Sequence, residues 1–133
     1  MGPAPDQLTC VLADDHDGVR GAVRAQLERL DWLEVLAEAP DGASAVELID
    51  ELRPDVAIVD VRMPSNTGFD VCSSLVAREV PTKVMLYSAL AESSSIEEGL
   101  RRGACAVVAK QDGFSALRVE LEAVRQGRCG ERS

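Results

Sequence analysis

The sequence predicts an α/β domain, in which an open parallel sheet is covered by helices on both faces. Short apolar runs alternate along the chain with stretches whose apolar residues recur at helical spacing, which is the pattern of consecutive βα units. The length of 133 residues suits one compact domain. The composition is 46% hydrophobic and only 3% aromatic, so we expect an aliphatic core.

Five short apolar runs are the predicted strands. The third, Val56–Val59, is apolar at every position, as expected for a strand that is buried on both faces. The other four are predicted over residues 8–13, 33–37, 83–87 and 106–109. Parallel neighbours need crossover connections, and each run is followed by an amphipathic stretch long enough to form a helix.

The amphipathic stretches are the predicted helices. Pro54 ends the second, because proline lacks an amide hydrogen and disfavours helical geometry in the residue before it. Gly103 and Gly127 mark the ends of the fourth and fifth helices. The apolar stripes, in chain order, are Val19, Val23, Leu27 and Leu30; Ala45, Leu48, Ile49 and Leu52; Val71, Leu75 and Val76; Ile96 and Leu100; and Phe114, Leu117, Leu121 and Val124.

Five βα units with right-handed crossovers form a doubly wound sheet. At this length we expect the flavodoxin-like strand order 2-1-3-4-5, with five helices and a functional crevice at the carboxyl ends of the strands. The predicted domain covers residues 8–127. Residues 1–7 are then an N-terminal extension, and residues 128–133 are a C-terminal tail or the start of a linker.

The chain is acidic, with 14 lysines and arginines against 23 aspartates and glutamates and a net charge of −9. This charge argues against nucleic-acid binding by the chain itself. The apolar runs are too short to cross a membrane and the first residues lack a secretory signal, so we expect a cytoplasmic protein without a membrane partner. Four scattered cysteines and one histidine, His16, argue against a zinc site and favour reduced thiols.

Polar side chains follow four of the five predicted strands. The first strand is followed by Asp14 and Asp15, and the third by Asp60. The fourth ends at Ser88 and the fifth at Lys110. In the order 2-1-3-4-5 these strands are neighbours, and their carboxyl ends lie along one edge of the sheet. We therefore expect three carboxylates, a hydroxyl and an ammonium group to meet in one crevice.

The chemistry of this cluster indicates a metal ion and a phosphoryl group. Three adjacent carboxylates repel each other, and a hard cation such as Mg²⁺ relieves the repulsion while keeping positions open for water or phosphate oxygens. Lys110 supplies a fixed positive charge and Ser88 a hydrogen-bond donor. Asp60 is a carboxylate nucleophile, able to form an acyl phosphate once the phosphoryl group is positioned and its charge neutralised.

The motifs around these residues resemble the receiver domains of response regulators in bacterial two-component systems. The resemblance extends from Leu8 to Gly127, and its motifs come in order, mostly at strand ends. The matching segments are Val-Leu-Ala-Asp-Asp-His at 11–16, Pro-Asp-Val-Ala-Ile-Val-Asp-Val-Arg-Met-Pro at 54–64, Gly68, Ser88-Ala89, and Gly103-Ala104 ahead of Lys110. Membership would make the chain a module that is switched by phosphorylation of an aspartate.

The resemblance implies a role for each acidic residue. Asp60 matches the phosphoacceptor, which is also a ligand of the Mg²⁺ cofactor. Asp14 and Asp15 match the acidic pair that binds Mg²⁺, with Asp15 the more direct ligand. The main-chain carbonyl of Arg62 matches a further ligand position.

Three other positions match residues around the phosphoryl group. Ser88 matches the switch hydroxyl that hydrogen-bonds to it, Lys110 the lysine that pairs with it, and Ala89 the small residue that leaves phosphorus accessible. The chain departs from the family at Val107, where Tyr or Phe is usual, and at Gln111, where Pro is common. We therefore expect a smaller or differently routed response to phosphorylation.

The opening Ala-Asp-Asp-His and the Lys-x-Asp at 110–112 are most similar to receivers of the NarL/LuxR subfamily, which usually precede a helix-turn-helix domain. The resemblance implies a sensor histidine kinase as partner, a phosphorylation-dependent homodimer, and transcription regulation through a DNA-binding domain absent from this chain. It implies no enzyme activity beyond the chain's own phosphorylation and dephosphorylation.

Other functions compatible with the same motifs are a stand-alone receiver, a phosphorelay protein, and a pseudo-receiver that binds partners without phosphorylation. A phosphatase of the haloacid dehalogenase type is disfavoured, because it carries a second acid two residues after its nucleophile, where this chain has Arg62. A nucleotide or flavin binder is disfavoured because no GxGxxG or Walker A motif follows the first strand.

Overall fold

The computed structural model describes residues 7–89 and 93–128, and within them five strands alternate with five α-helices. The strands are β1 (Leu8–Ala13), β2 (Leu33–Ala39), β3 (Val56–Val59), β4 (Lys83–Ser88) and β5 (Ala106–Ala109). The helices are α1 (Asp17–Leu27), α2 (Gly42–Leu52), α3 (Gly68–Ala77), α4 (Ser93–Arg101) and α5 (Phe114–Arg125). Among the described residues, no helix has the length and apolar character needed to cross a membrane.

The strands form one parallel sheet in the order β2-β1-β3-β4-β5, which confirms the predicted flavodoxin-like topology. The register aligns the carboxyl ends of the central strands. Ala13 pairs with Val59, and Val59 pairs with Leu86. Ser88 pairs with Ala109 at the ends of β4 and β5. The residues that follow these strands therefore meet along one edge, as the sequence predicts.

The core lies on both faces of the sheet, and β3 shows why its sequence is apolar throughout. Val56 and Ile58 belong to a cluster with the buried residues of α1 and α5. Ala57 and Val59 belong to a second cluster with those of α2 and α3. All four are essentially inaccessible to solvent. Complete burial of an aliphatic side chain contributes roughly 1.5–3 kcal/mol, so the strand is fixed firmly below the residue that follows it.

Several local features differ from the sequence prediction. The strand β2 extends two residues beyond the predicted end, and β4 includes Ser88. Val76 lies in α3 but is 60% exposed, because it occupies the solvent side of that helix.

An unpredicted 3₁₀ turn, Lys110–Asp112, follows β5, and Gly113 at φ 83° then leads into α5. Only glycine adopts this positive φ without strain.

The cysteines only partly follow the expectation of reduced thiols. Cys10 and Cys72 are free and buried, and burial raises the pKa of each thiol to about 12, so both are inert apolar side chains. Cys105, at the entrance to β5, is disulfide-bonded in the structure, contrary to the prediction.

Gly68 fixes the position of α3 beside the end of β3. A Cβ atom on this glycine would lie 2.6 Å from the main-chain oxygen of Asp60, which is too close for any other residue. The Gly68 amide also donates to the carbonyl of Val61 at 2.8 Å. The side chain of Thr67 and that of Asp70 form a capping box at this helix start. The loop that carries Asp60 is therefore held by the first turn of α3.

Candidate functional site

The acidic residues continue the sheet beyond the ends of the strands. The Asp14 amide donates to the carbonyl of Ala39 at 3.0 Å, and the Asp60 amide donates to the carbonyl of Ala13 at 2.9 Å. Both residues therefore keep the spacing of adjacent parallel strands, which places their side chains next to each other. Both are also buried, with Asp14 4% and Asp60 9% exposed.

Lys110 connects the two buried carboxylates. Its Nζ atom lies 2.9 Å from Asp14 Oδ2 and 3.2 Å from Asp60 Oδ2. Burial by itself lowers the pKa of this ammonium, but the hydrogen bond to Asp14 and the charge of Asp60 outweigh burial and raise the pKa. Lys110 is therefore a permanent cation in a little-hydrated site, where a charge acts more strongly than at the surface.

Asp60 remains electrostatically under-compensated despite Lys110. Burial raises the pKa of its carboxyl above the ordinary value of 3.8, and the charge of Asp14 raises it further, whereas Lys110 lowers it. The net direction is upward. The surroundings of Asp60 therefore disfavour its ionised carboxylate, which is the nucleophilic form. A further cation beside Asp60 would favour ionisation.

Asp15 completes a set of oxygen ligands. Asp14, Asp15 and Asp60 each offer a carboxylate oxygen, and these atoms lie within 4.8 Å of one another. Three carboxylates face a single ammonium, so the cluster keeps a net negative charge. An all-oxygen donor set with this charge fits a hard divalent cation such as Mg²⁺.

Asp14 and Asp15 have different surroundings, although they are neighbours. The carboxylate of Asp14 is held on both oxygens, by Lys110 and by the main-chain amide of His16 at 2.9 Å. Within the described part of the chain, nothing hydrogen-bonds to or pairs with the exposed side chain of Asp15. Asp15 is therefore the acid whose oxygens are available, and its role as the more direct metal ligand stays a prediction.

Arg62 and Ser88 lie at the same crevice. The main-chain amide of Arg62 donates to Asp60 Oδ1 at 3.4 Å, which places the main chain of Arg62 beside the acceptor carboxylate. Its carbonyl as a metal ligand stays a prediction. Ser88 is 1% exposed and lines the crevice together with Ala89, as the sequence predicts.

Two further residues line the crevice, although the sequence did not predict them there. His16 was noted only as the single histidine and as part of the motif at 11–16, and Val19 was placed in the apolar stripe of the first helix. Both border the crevice with Asp15 and Asp60, and Val19 is 37% exposed. Their positions, one residue and one helical turn after Asp15, were the signal in the sequence: the first turn of a helix that starts at a site also borders that site.

Comparisons with known proteins agree with this fold. The model of the response regulator receiver domain matches residues 10–122. The probable transcriptional regulatory protein NarL of Mycobacterium tuberculosis is 38% identical over 108 residues, which are 81% of this chain and 50% of that protein. The structure of its signal receiver domain has a TM-score of 0.87 at 34% identity, covering 92% of this chain and 98% of that domain.

The chain is therefore a two-component signalling domain. It belongs to the response regulator receiver domain family and is similar to members of the NarL/LuxR subfamily. It spans about half the length of NarL. A protein-glutamate methylesterase/protein-glutamine glutaminase of Methanococcoides burtonii is 33% identical over 124 residues, which are 35% of that protein. Domains of this family thus occur in transcription regulators and also in enzymes.

Proposed function

We propose that this chain is a phosphoacceptor receiver domain that takes a phosphoryl group from a sensor histidine kinase onto Asp60, with Mg²⁺ as the cofactor. The observation that carries the proposal is the bridge from Lys110 to Asp14 and Asp60, 2.9 and 3.2 Å long, beside an Asp15 carboxylate that has no partner among the described residues. It assembles the groups that phosphoryl transfer to an aspartate needs.

The transfer is a displacement at phosphorus. An Asp60 carboxylate oxygen forms the new P–O bond, the P–N bond of the donor phosphohistidine breaks, and the electron pair leaves with the imidazole. Lys110 supplies positive charge for the phosphoryl oxygens, and Ser88 supplies a hydroxyl donor at the end of β4. Asp14, Asp15 and the Arg62 carbonyl would hold Mg²⁺ with Asp60, and the bound ion would neutralise further oxygen charge. Ala89 leaves the approach to Asp60 open.

The relatives of the chain support a transcriptional output for the domain. A transcription regulator of about twice this length, such as NarL, supports regulation of transcription through a helix-turn-helix domain attached after residue 127. The acidic chain itself is unsuited to DNA. We place the protein in the cytoplasm, acting as a phosphorylation-dependent homodimer, with residues 8–127 as the receiver domain. A stand-alone receiver, a phosphorelay protein and a pseudo-receiver are the alternatives.

Incubation with Mg²⁺ and acetyl phosphate tests the chemistry. Intact-mass spectrometry should show the addition of one phosphoryl group, which hydroxylamine removes because an acyl phosphate is an activated ester. The Asp60→Asn variant is the matched control and should not be modified. The same hydroxylamine-sensitive adduct on that variant would contradict the assignment of Asp60, and an unmodified wild-type chain would favour the pseudo-receiver.

A further inference from the structure

We propose that Arg20 is a positioning residue for Asp15, and that it sets the affinity of the acidic cluster for Mg²⁺. The inference rests on the proposed function, because it concerns the metal site of that function. Arg20 lies in α1, outside the crevice, and does not belong to the set of predicted site residues. Its influence would pass through the main chain between Asp14 and Asp15.

The guanidinium group of Arg20 connects three parts of the fold. Nη1 donates to the main-chain oxygen of Asp14 at 2.6 Å, Nε donates to Glu38 Oε1 at 2.8 Å, and Nη2 donates to Asp17 Oδ1 at 2.7 Å. Asp14 follows β1, Glu38 lies in β2, and Asp17 lies in the first turn of α1. The Arg20 side chain is 15% exposed and that of Glu38 27% exposed, so solvent competes little for the bond between them, whereas the Asp17 side chain is 90% exposed.

The bond to Asp14 matters because the carbonyl it holds is part of the peptide group between Asp14 and Asp15. The orientation of that peptide plane decides where the Asp15 side chain leaves the backbone. Within the described residues, no other group holds the Asp15 carboxylate, as shown above. The direction of Asp15 therefore depends on its main chain, which Arg20 holds at the Asp14 carbonyl and the Asp14 carboxylate holds at the His16 amide.

Glu38 keeps the guanidinium in place. Its second carboxylate oxygen accepts from Arg24 Nη1 at 2.5 Å, so the acid is held from both sides. Hydrogen bonds from Arg24 and Arg20 lower the pKa of Glu38, and it remains ionised as a fixed anchor. A planar guanidinium with donors at fixed angles can satisfy three such acceptors together, which a lysine ammonium on a flexible stem does not reproduce.

Charge alone would give Arg20 the opposite effect. A cation close to a metal site repels the metal, so its removal should strengthen Mg²⁺ binding. Its removal should weaken binding if the main effect is on the position of Asp15. The sign of the change in a neutral variant therefore separates the two effects, and a charge-conserving variant isolates the positional one.

The test compares Arg20→Lys with Arg24→Lys. Both variants conserve charge, both alter an α1 arginine that pairs with Glu38, and only Arg20 contacts Asp14. Mg²⁺ affinity is measured by titration calorimetry, and phosphorylation by acetyl phosphate is measured over a range of Mg²⁺ concentrations. We expect Arg20→Lys to raise the Mg²⁺ dissociation constant and the half-saturating Mg²⁺ concentration about tenfold, the size of effect typical of groups that orient a metal ligand. The maximal rate at saturating Mg²⁺ should stay near the wild-type value, and Arg24→Lys, which acts on Asp14 only through Glu38, should shift the Mg²⁺ dissociation constant much less than Arg20→Lys.

Other results overturn the inference or the function separately. Arg20→Lys with unchanged Mg²⁺ affinity, or Arg20→Gln with tighter binding, would refute the positioning role while wild-type phosphorylation still supports the function. A wild-type chain that binds no Mg²⁺ would refute both. Partial unfolding would also raise the apparent dissociation constant, because Mg²⁺ binds only the native state, so the variants are compared at a temperature at which urea denaturation shows each to be fully folded. If the Arg20 variants do not fold, Glu38→Gln takes their place: a weaker Mg²⁺ affinity supports the inference and an unchanged one overturns it.

Discussion

Gly99 of α4 and Val107 of β5 pack so closely that a Cβ atom on Gly99 would lie 2.7 Å from Val107 Cγ2. The same atom would lie 2.8 Å from Leu86 Cδ1 in the neighbouring strand. Val107 stands where receivers usually carry Tyr or Phe, and it is buried. The helix that follows the end of β4 therefore rests directly on the sheet through a glycine and a valine, instead of being separated from it by a ring.

Replacing Gly99 with alanine should destabilise the fold, although alanine is the better helix former. Alanine in a helix interior is favoured over glycine by about 1 kcal/mol. The new methyl group would overlap two buried side chains, and overpacking of a core costs roughly 1–3 kcal/mol. We expect a net loss, measured as the free energy of unfolding in urea. The matched control is Gly21→Ala in α1, where a Cβ meets nothing within 4 Å and should stabilise the protein by about 1 kcal/mol. Equal effects of the two substitutions would contradict the close packing of α4.

The contact between α4 and β5 also predicts how the domain responds to a phosphoryl mimic. Beryllofluoride on Asp60 should recruit Ser88 and Lys110, and movement at the end of β4 should then shift the helix that is packed on Val107. We expect altered amide hydrogen exchange in α4, with no change in Asp60→Asn, which should not bind the mimic. Binding with no effect outside the crevice would mean that the domain accepts phosphate and does not transmit it.

The order of the strands and the position of the crevice are predictable because they depend on local patterns in the sequence. The alternation of apolar runs with helical stripes fixed the βα units, and the switch-point rule then placed Asp14, Asp60 and Lys110 together. The observed distances of 2.9 and 3.2 Å agree with that expectation. The central strand β3 has its predicted bounds, because its apolar run is flanked on either side by an aspartate, Asp55 and Asp60.

The features that escaped prediction depend on contacts between distant segments. Arg20 was passed over because a single arginine in an amphipathic helix is indistinguishable from a surface charge until Glu38 and the Asp14 carbonyl are placed around it. No motif in the sequence indicated the disulfide bond of Cys105. Val76 shares the spacing of a core stripe, but it lies on the solvent side of α3. Such outcomes are decided by packing, which no local pattern contains.

Mg²⁺ should stabilise the native domain, because the ion binds the assembled carboxylates and not the unfolded chain. At a free concentration one hundred times the dissociation constant, the gain is about 2.7 kcal/mol. Asp15→Ala should abolish most of the shift in melting temperature. His16→Ala is the matched control. The hydrogen bond of His16 to Asp14 comes from its main-chain amide, which alanine retains. A melting temperature that does not respond to Mg²⁺, or that responds equally in both variants, would count against the site.

Asp60→Asn should stabilise the apo domain near neutral pH, by about 1 kcal/mol, the typical size of a single-residue effect. Burial and the charge of Asp14 raise the pKa of Asp60 above its ordinary 3.8. Between 3.8 and the raised folded-state pKa, the native state binds more protons than the unfolded chain, so wild-type stability falls as the pH rises through that window. Asparagine has no such titration. The advantage of the variant should therefore appear through the window, stay constant above it and vanish below 3.8, where both side chains are neutral.

Urea denaturation as a function of pH measures the difference in stability between Asp60→Asn and the wild type. Saturating Mg²⁺ should remove or reverse it, because the ion favours the ionised carboxylate that only the wild type carries. A variant less stable than wild type at neutral pH without Mg²⁺ would show that the ion pair with Lys110 outweighs the cost of burying Asp60.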